Sequence, residues 1–262
     1  MISVAESIRA ALLTGEPRAK VMATRALVRA WRRGELAWDF ATRMPERPSW
    51  PAGLELLPPN RMPKRGRGGS LRSAIALWHS LAHIEFVAID LALDIAGRFG
   101  AGMGREFVDE FLGVAADEAM HFALLERKLR DMGTGYGALP AHDGLWEAAL
   151  ETRHDAAARL AVVPMVLEAR GLDVTPAIRD RVLAMGDARG ARILQRILDD
   201  EIRHVAVGTR HFVALCRSLG KVPENQWKML VNRHFRGALK PPFNDSARLT
   251  AGLSREFYAG VA

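Results

Sequence analysis

Two short stretches of the sequence carry the same pattern, in which an acidic pair is followed by a histidine three residues after the glutamate. They are residues 117–121 (DEAMH) and residues 200–204 (DEIRH). Residues three apart in a helix lie on the same face, so each stretch would direct one carboxylate and one imidazole toward the same point. The spacing therefore suits a pair of metal ligands and requires both stretches to be helical.

Each stretch also follows another glutamate at a constant distance. Glu85 precedes Glu118 by the same number of positions by which Glu168 precedes Glu201. One Glu-x-x-His is weak support for a metal site, but a doubled motif at fixed spacing indicates two repeated halves. The first set is Glu85, Glu118 and His121, and the second is Glu168, Glu201 and His204. Each residue of the second set lies the same number of positions after its counterpart in the first.

The four glutamates lie on apolar faces of the helices that would carry them. Trp78 and Ile89 share the face of Glu85, and Leu194 and Leu198 share the face of Glu201. A buried carboxylate costs several kcal/mol unless it is paired or bound to a metal, and no lysine lies on these faces. Two divalent cations would balance the four carboxylates.

This ligand set resembles that of the carboxylate-bridged ferritin-like proteins, in which two helices each give a Glu and two others each give Glu-x-x-His. From about Pro45 to Ala262 the chain also resembles a family of bacterial ferritin-like proteins known mainly as a domain of unknown function. The shared phrases are 62–65 (MPKR), 79–85 (HSLAHIE), 140–146 (PAHDGLW), 162–175 (VVPMVLEARGLDVT) and 241–244 (PPFN). The resemblance implies a ferritin-like four-helix bundle and a metal site, but no particular reaction.

The resemblance implies that the six residues bind two metal ions. Carboxylate-rich sites with two histidines suit iron or manganese, whereas thiolate or all-imidazole sites suit zinc and copper. Ferritin-like proteins use such metal pairs to reduce O₂ or peroxide. We therefore expect a di-iron oxidoreductase, such as a hydroxylase of an unidentified organic substrate.

Other functions fit the same ligands. A manganese catalase would use the same six residues, and a non-enzymatic protein would use the metals only to hold the bundle or a partner. A radical-generating protein needs a tyrosine near the metals. The two tyrosines, Tyr136 and Tyr258, lie outside the predicted bundle helices, which disfavours that function.

An aspartate precedes the glutamate in both motifs. Asp117 and Asp200 are similar in position to acidic residues of bacterial multicomponent monooxygenases, which hold the ring N–H of a ligand histidine. Such contacts fix the tautomer and the orientation of the ring. We expect each aspartate to accept a hydrogen bond from the ligand histidine of the opposite half; the alternative is a solvated charge on the helix surface.

Two further histidines, His79 and His83, lie one helical turn apart, with Asp90 and Asp94 further along the same stripe. They could form a second metal site, but they point away from Glu85. We therefore expect them to be hydrogen-bonded packing residues that lie against the preceding proline-rich segment.

The composition favours an all-α protein, because apolar residues make up 49% of the chain and do not alternate with polar ones. We expect a basic helical arm and extended proline-rich strap (residues 1–70), a four-helix bundle (71–219) and a C-terminal helical extension (220–262).

Two prolines should affect the predicted helices. Pro164 should kink or bulge the third bundle helix, and Thr175 followed by Pro176 should begin a new helix. The predicted helices are 3–15, 17–34, 71–99, 103–132, 144–170, 176–185, 188–219, 223–236 and 246–258.

The positive charge is concentrated in the arm and strap. Residues 1–74 hold 14 Lys and Arg against 6 Asp and Glu, a net charge of +8, and the remaining residues carry a net charge of −1. Either the arm binds an anionic partner such as RNA, or it lies on an acidic flank of its own bundle.

The single cysteine, Cys216, excludes an internal disulfide and fits a reducing cytoplasm. Charged residues interrupt every long apolar stretch, so we expect no membrane insertion. A homodimer is left open.

Overall fold

The computed structural model describes residues 1–58, 61–62 and 70–260. Within these ranges the chain is all-α and forms no strand, which confirms the predicted fold class. The chain divides into two compact units, Met1–Glu147 and Ala148–Ala262. The ferritin-like bundle and the three-part division at residues 70 and 219 stay predictions. No helix among the described residues is both long enough and apolar enough to cross a membrane.

Two helices form the N-terminal arm, α1 (Val4–Leu12) and α2 (Pro17–Arg32). Ser3 caps α1 in a reciprocal capping box, and the Glu16 side chain accepts hydrogen bonds from two backbone N–H groups at the start of α2. Both predicted helices are confirmed, with ends that lie at or slightly inside the predicted bounds.

The described part of the strap, residues 44–58, is held against the first unit. The Trp50 ring stacks on His83, with ring centroids 6.0 Å apart. The Trp146 indole donates a hydrogen bond to the carbonyl of Glu46, and Leu57 N–H donates to the carbonyl of Ala141. These contacts hold the described part of the strap in place. The prolines Pro59 and Pro63, the glycine-rich residues 66–69 and residues 63–65 of the MPKR phrase lie outside the described residues.

The first unit contains a long helix pair, α3 (Leu71–Met103) and α4 (Arg105–Asp131). The predicted link at residues 100–102 is wrong, because α3 continues through them. Gly100 is buried, and a Cβ there would clash with Val108 and Phe40, so this glycine permits close packing. The turn is made instead by Gly104, whose φ of 96° favours glycine.

The second unit holds the predicted fourth bundle helix and the predicted third one from Ala148 onward. They are represented by α5 (Gly144–Glu151), α6 (Ala156–Val162), a π-helical turn (Val163–Glu168), α7 (Ala169–Ala184) and α8 (Ala188–Ser218). The predicted single helix over 144–170 is wrong, because it is interrupted before α6. There Asp155 accepts hydrogen bonds from the N–H groups of Ala157 and Ala158 and starts a new helix. The prediction for α8 is confirmed.

The predicted new helix at Thr175 and Pro176 is also wrong, because Pro176 lies inside α7. Proline cannot donate the helical hydrogen bond to the carbonyl four residues earlier, which belongs to Leu172. The side-chain amide of Asn244 donates to that carbonyl instead, at 3.1 Å. The C-terminal segment therefore supplies the missing bond and lets the helix continue.

The predicted distortion at Pro164 is confirmed as the π-helical turn. Ala169 N–H donates to the carbonyl of Pro164, five residues earlier. The indole N–H of Trp227 donates to the carbonyl of Ala161 at 3.2 Å. The Pro164 ring lies directly against Gly208 of α8, where a Cβ would clash with it.

The C-terminal extension contains α9 (Pro223–His234), α10 (Asp245–Thr250) and α11 (Arg255–Tyr258). The predicted helix over 246–258 is thus two short helices. A buried, bidentate ion pair joins Arg248 to Asp173 of α7, with N–O distances of 2.8 and 2.7 Å.

Candidate metal centre

Three of the six predicted ligands meet in the first unit. Glu85 lies on α3, and Glu118 and His121 lie one turn apart on α4; all three are buried. Nδ1 of His121 lies 3.2 Å from Oε2 of Glu85 and 3.3 Å from Oε2 of Glu118. The ligand atoms of the three side chains all lie within 4.8 Å of one another. This buried cluster could hold a metal ion.

The charges of the cluster fit a cation. Burial raises the pKa of Glu85 well above its usual value, and the nearby charge of Glu118 raises it further. Burial alone lowers the pKa of His121, but hydrogen bonds to Glu118 and Glu85 outweigh this effect and raise the pKa to about 11. A protonated imidazole thus supplies the positive charge that the carboxylates require. A divalent cation would supply it equally well and leave His121 neutral, as a ligand must be.

The other three predicted ligands lie in the second unit. Glu168 is the last residue of the π-helical turn, and Glu201 and His204 lie one turn apart on α8. Nδ1 of His204 lies 3.7 Å from Oε1 of Glu201, which is beyond hydrogen-bond distance. Glu201 and His204 are buried and Glu168 is half-buried.

The structure therefore brings together the first triad, and it pairs Glu201 with His204 within the second unit. The convergence of all six residues on two metal ions stays a prediction. Asp200 is buried and accepts hydrogen bonds from Arg196 (2.6 Å) and Arg203 (2.7 Å) on its own helix. The predicted hydrogen bonds from ligand histidines to Asp117 and Asp200 stay predictions.

The comparison with known families agrees with the resemblance found in the sequence. A family described as "Protein of unknown function (DUF455)" matches residues 13–259. The chain belongs to the DUF455 family. An uncharacterized protein of Haemophilus influenzae (strain ATCC 51907 / DSM 11121 / KW20 / Rd) is 39% identical over 223 residues, which cover 83% of this chain and 75% of that protein. No solved structure matches the chain.

The DUF455 phrase HSLAHIE contributes packing histidines as well as a candidate ligand. His83 Nε2–H donates to the carbonyl of His142 (3.0 Å), so its Nδ1 accepts from the Tyr136 hydroxyl at 2.8 Å. Nε2 of His79 accepts from Gly137 N–H at 2.9 Å. Burial lowers the pKa of both histidines to about 4. Hydrogen-bonded packing is confirmed, but the hydrogen-bond partners belong to the α4–α5 connection, and the strap contributes the ring of Trp50 against His83.

The two aspartates that follow these histidines on α3 are engaged in ion pairs. Asp90 pairs with Lys20 of the arm, and both side chains are fully buried. Asp94 pairs with Arg98 at 2.7 Å. The first pair therefore links α3 to the arm, whereas the second lies within α3 itself.

Tyr136 lies outside the helices, as predicted, but it lies near the candidate ligands. Its half-buried ring packs 5.1 Å from the ring of Phe86 and 5.3 Å from that of Phe122. These phenylalanines directly follow Glu85 and His121. The sequence did contain a signal, because His79 and His83 on an otherwise apolar helix required partners from a loop.

Proposed function

We propose that this DUF455 protein is a di-iron oxidoreductase of the ferritin-like superfamily that activates O₂ or peroxide. The observation that carries the proposal is the buried cluster of Glu85, Glu118 and His121. It supplies two carboxylates and one imidazole in a small volume, which is a donor set suited to iron or manganese. The same three residue types recur at the same spacing in the second half of the chain.

In this proposal Glu85, Glu118, His121, Glu168, Glu201 and His204 would hold two metal ions. When bound, the metal pair supplies the electrons and the Lewis acidity for the reduction of O₂ or peroxide. The protein would hold the carboxylates ready for the cations and keep both histidines in one orientation. Asp117 and Asp200 would contribute by accepting the ring N–H groups.

Burial gives this donor set a further property. The surroundings of Glu85 and Glu118 are apolar side chains of α3 and α4, including Phe86, Phe111 and Phe122. Such a site limits the access of water to the metals, which would favour oxidation of an organic substrate over wasteful side reactions. The substrate would be an organic molecule that reaches this apolar region.

The test is metal content followed by reactivity. Protein purified without added metal is analysed for iron and manganese, then loaded with ferrous ion without oxygen and exposed to O₂. We expect two iron ions per chain and rapid oxidation by O₂. Glu118→Gln should lose this capacity, whereas Glu106→Gln, an exposed change on the same helix, should keep it.

The other functions give different results in the same assay. Binding of manganese with disproportionation of peroxide would show a catalase-like enzyme. Bound metal that reacts with neither O₂ nor peroxide would show a non-enzymatic metal protein. Wild-type protein that binds neither iron nor manganese would contradict the proposal.

A further inference from the structure

The outer face of α2 carries a row of four arginines, Arg18, Arg25, Arg29 and Arg32. Their spacing of seven, four and three residues places them on one side of the helix. At a rise of 1.5 Å per residue the row is about 21 Å long. Arg18, Arg29 and Arg32 are exposed and Arg25 is half-exposed.

The opposite face of α2 is buried in the first unit. Leu27 and Trp31 lie opposite the arginine row, and the buried residues Val21 and Val28 border it, because each is three or four residues from arginines of the row. Because packing fixes this face, the arginines are presented by a rigid helix and cannot turn inward. The row is therefore a permanent feature of the surface.

The charges of this row are not neutralised by the protein. Among residues 1–58, 61–62 and 70–260, none of the four arginine side chains forms an ion pair. Arginines elsewhere in the first unit do so, as Arg98 pairs with Asp94 and Arg130 with Glu126. Within the described residues, ion pairs with the protein therefore account for the charge of Lys20 in the arm but not for the charges of these four arginines.

We propose that Arg18, Arg25, Arg29 and Arg32 bind the phosphate backbone of double-stranded RNA. The planar guanidinium group offers paired donors that match a phosphate. A row of four such groups on a straight helix can contact successive phosphates. The proposal does not rest on the metal site, because α2 carries none of the six candidate ligands.

The surroundings of the row favour a duplex over a single strand. Proteins that bind single strands stack the bases on aromatic side chains. The residues between the arginines on this face are small or aliphatic, such as Met22 and Ala26. Trp38 is exposed near the C-terminal end of α2, but its ring packs against Trp31 and lies under the Arg105 guanidinium. Contacts between the arginines are therefore limited to the sugar–phosphate backbone.

The burial of α2 favours RNA over DNA and over a membrane. A helix that reads DNA enters the major groove, but α2 has one face buried in protein. A-form RNA instead offers a wide, shallow minor groove that a low surface can contact through phosphates and 2′-hydroxyls. A membrane-surface helix inserts its apolar face into lipid, and that face of α2 is already covered.

The experiment measures the affinity of the full chain for a fluorescent RNA duplex over a range of salt concentrations. A duplex of about 20 base pairs is used because it is longer than the arginine row. The test variant changes Arg18, Arg25, Arg29 and Arg32 to Gln. The matched control changes four exposed arginines outside α2 to Gln and so removes the same charge. These control positions are Arg127, Arg192, Arg217 and Arg233.

We expect the logarithm of the wild-type association constant to fall with the logarithm of salt concentration with a slope of about −3 to −4, one unit per phosphate contact. The α2 variant should lose most of this slope and bind about tenfold or more weakly. The control variant should stay close to wild type. Far-ultraviolet circular dichroism checks that both variants are folded.

Four outcomes would overturn the proposal. They are absence of duplex RNA binding by wild type, equal loss in the two variants, equal affinity for a DNA duplex of the same sequence, and binding to phosphatidylserine vesicles but not to RNA. A Glu118→Gln variant that still binds RNA would separate this surface from the metal centre. Loss of RNA binding in that variant would contradict their independence.

Discussion

The two units carry the same candidate ligands at the same spacing, but on different backbones. In the first unit Glu85 lies on the uninterrupted helix α3, whereas in the second unit Glu168 ends a π-helical turn. The helices that follow begin at Arg105 and Ala188, which correspond under the offset that carries Glu85 onto Glu168. The repeat thus preserves the sequence spacing of the candidate ligands, whereas the local helix geometry differs between the two units.

Two prolines account for the difference. Under the same offset, Pro164 corresponds to Leu81 and Pro176 corresponds to Leu93. Each proline deprives the helix of a backbone donor. Trp227 and Asn244, both from the C-terminal extension, donate to the carbonyl of Ala161, which precedes Pro164, and to that of Leu172, which precedes Pro176. The second unit therefore depends on its extension in a way that the first unit does not.

The units also share a buried aspartate five residues after the first ligand. Asp90 follows Glu85 and pairs with Lys20 of the N-terminal arm. Asp173 follows Glu168 and pairs with Arg248 of the C-terminal extension. The arm and the extension are therefore equivalent in one respect, because each supplies a cation to a buried carboxylate.

The largest expected effect comes from removing these cations. Lys20→Met should destabilise the protein by about 3–5 kcal/mol, because a buried carboxylate is left unpaired. Arg248→Met should cost less, because Asp173 keeps Arg170 at 3.5 Å and the hydrogen bond from Asn244 N–H. Denaturant unfolding measures the change. In the first unit, replacing both partners (Lys20→Met with Asp90→Leu) should restore most of the stability, and a failure to do so would show that packing rather than charge dominates.

The effect of Lys20→Met should depend on pH. Burial raises the pKa of Asp90 to about 7 from 3.8, although Lys20 opposes the rise, and Asp94 adds to it. A carboxyl whose folded pKa is raised stabilises the fold when protonated, and this contribution is lost as pH rises through the folded pKa. Without Lys20 the pKa should rise further, so the destabilisation should be nearly constant below pH 7 and grow as the pH rises above about 7. Lys20→Met with Asp90→Asn should show no such growth.

The next effect tests whether the aspartate before each motif serves the metal site. Asp200→Ala and Asp117→Ala should each weaken metal affinity by about 10- to 100-fold, because a ligand histidine loses the acceptor of its ring N–H. Asp199→Ala changes an exposed neighbour and should leave metal affinity unchanged. If both aspartate variants bind metal with wild-type affinity, Asp117 and Asp200 do not serve the metal site and are only charges on the helix surface.

A smaller effect concerns the π-helical turn. Gly208→Ala should destabilise the second unit by about 1–3 kcal/mol, because the new methyl group clashes with the Pro164 ring. Gly171→Ala is the matched control, since its Cβ would only reach ordinary contact with Glu201. It should stabilise α7 by up to about 1 kcal/mol. Equal changes in the free energy of unfolding for the two substitutions would show that the Pro164 ring does not restrict the size of residue 208.

The smallest effect tests the explanation for Pro176. Asn244→Ala removes the donor to the Leu172 carbonyl, and Pro176→Ala restores the backbone donor that proline lacks. A double-mutant cycle should therefore give a coupling of about 0.5–1.5 kcal/mol, with Asn244→Ala less costly in the Pro176→Ala background. Additive effects would mean that Asn244 acts only as the N-cap of α10.

Much of this organisation could be predicted from the sequence, and the errors have specific causes. The repeat identified the six candidate residues and the positions of α4 and α8. It also contained the correct extent of α7, because α3 continues well past Glu85 and its counterpart should continue equally past Glu168. Local proline and glycine signals conflict with the repeat at Thr175 and at residues 100–102, and at both places the helix continues as the repeat indicates.

The remaining errors concern tertiary contacts. The position of Tyr136 between Phe86 and Phe122 depends on how a loop folds back on α3 and α4, and no local pattern encodes it. The break at residues 152–155 is similar, because the buried guanidinium of Arg159 donates to the Ala149 carbonyl and the Thr152 hydroxyl only in the folded protein. Such contacts join residues that helical periodicity treats separately.

The most direct test of the central proposal is whether the two triads share one site. Protein loaded with two equivalents of ⁵⁷Fe and oxidised is examined by Mössbauer spectroscopy in an applied magnetic field. Convergence predicts an antiferromagnetically coupled, diamagnetic ferric pair, because bridged ions lie about 3.5–4 Å apart. Glu118→Ala in one unit and Glu201→Ala in the other should each abolish this signal. Two uncoupled ferric ions, or one variant that loses one ion and keeps the other intact, would contradict a shared site.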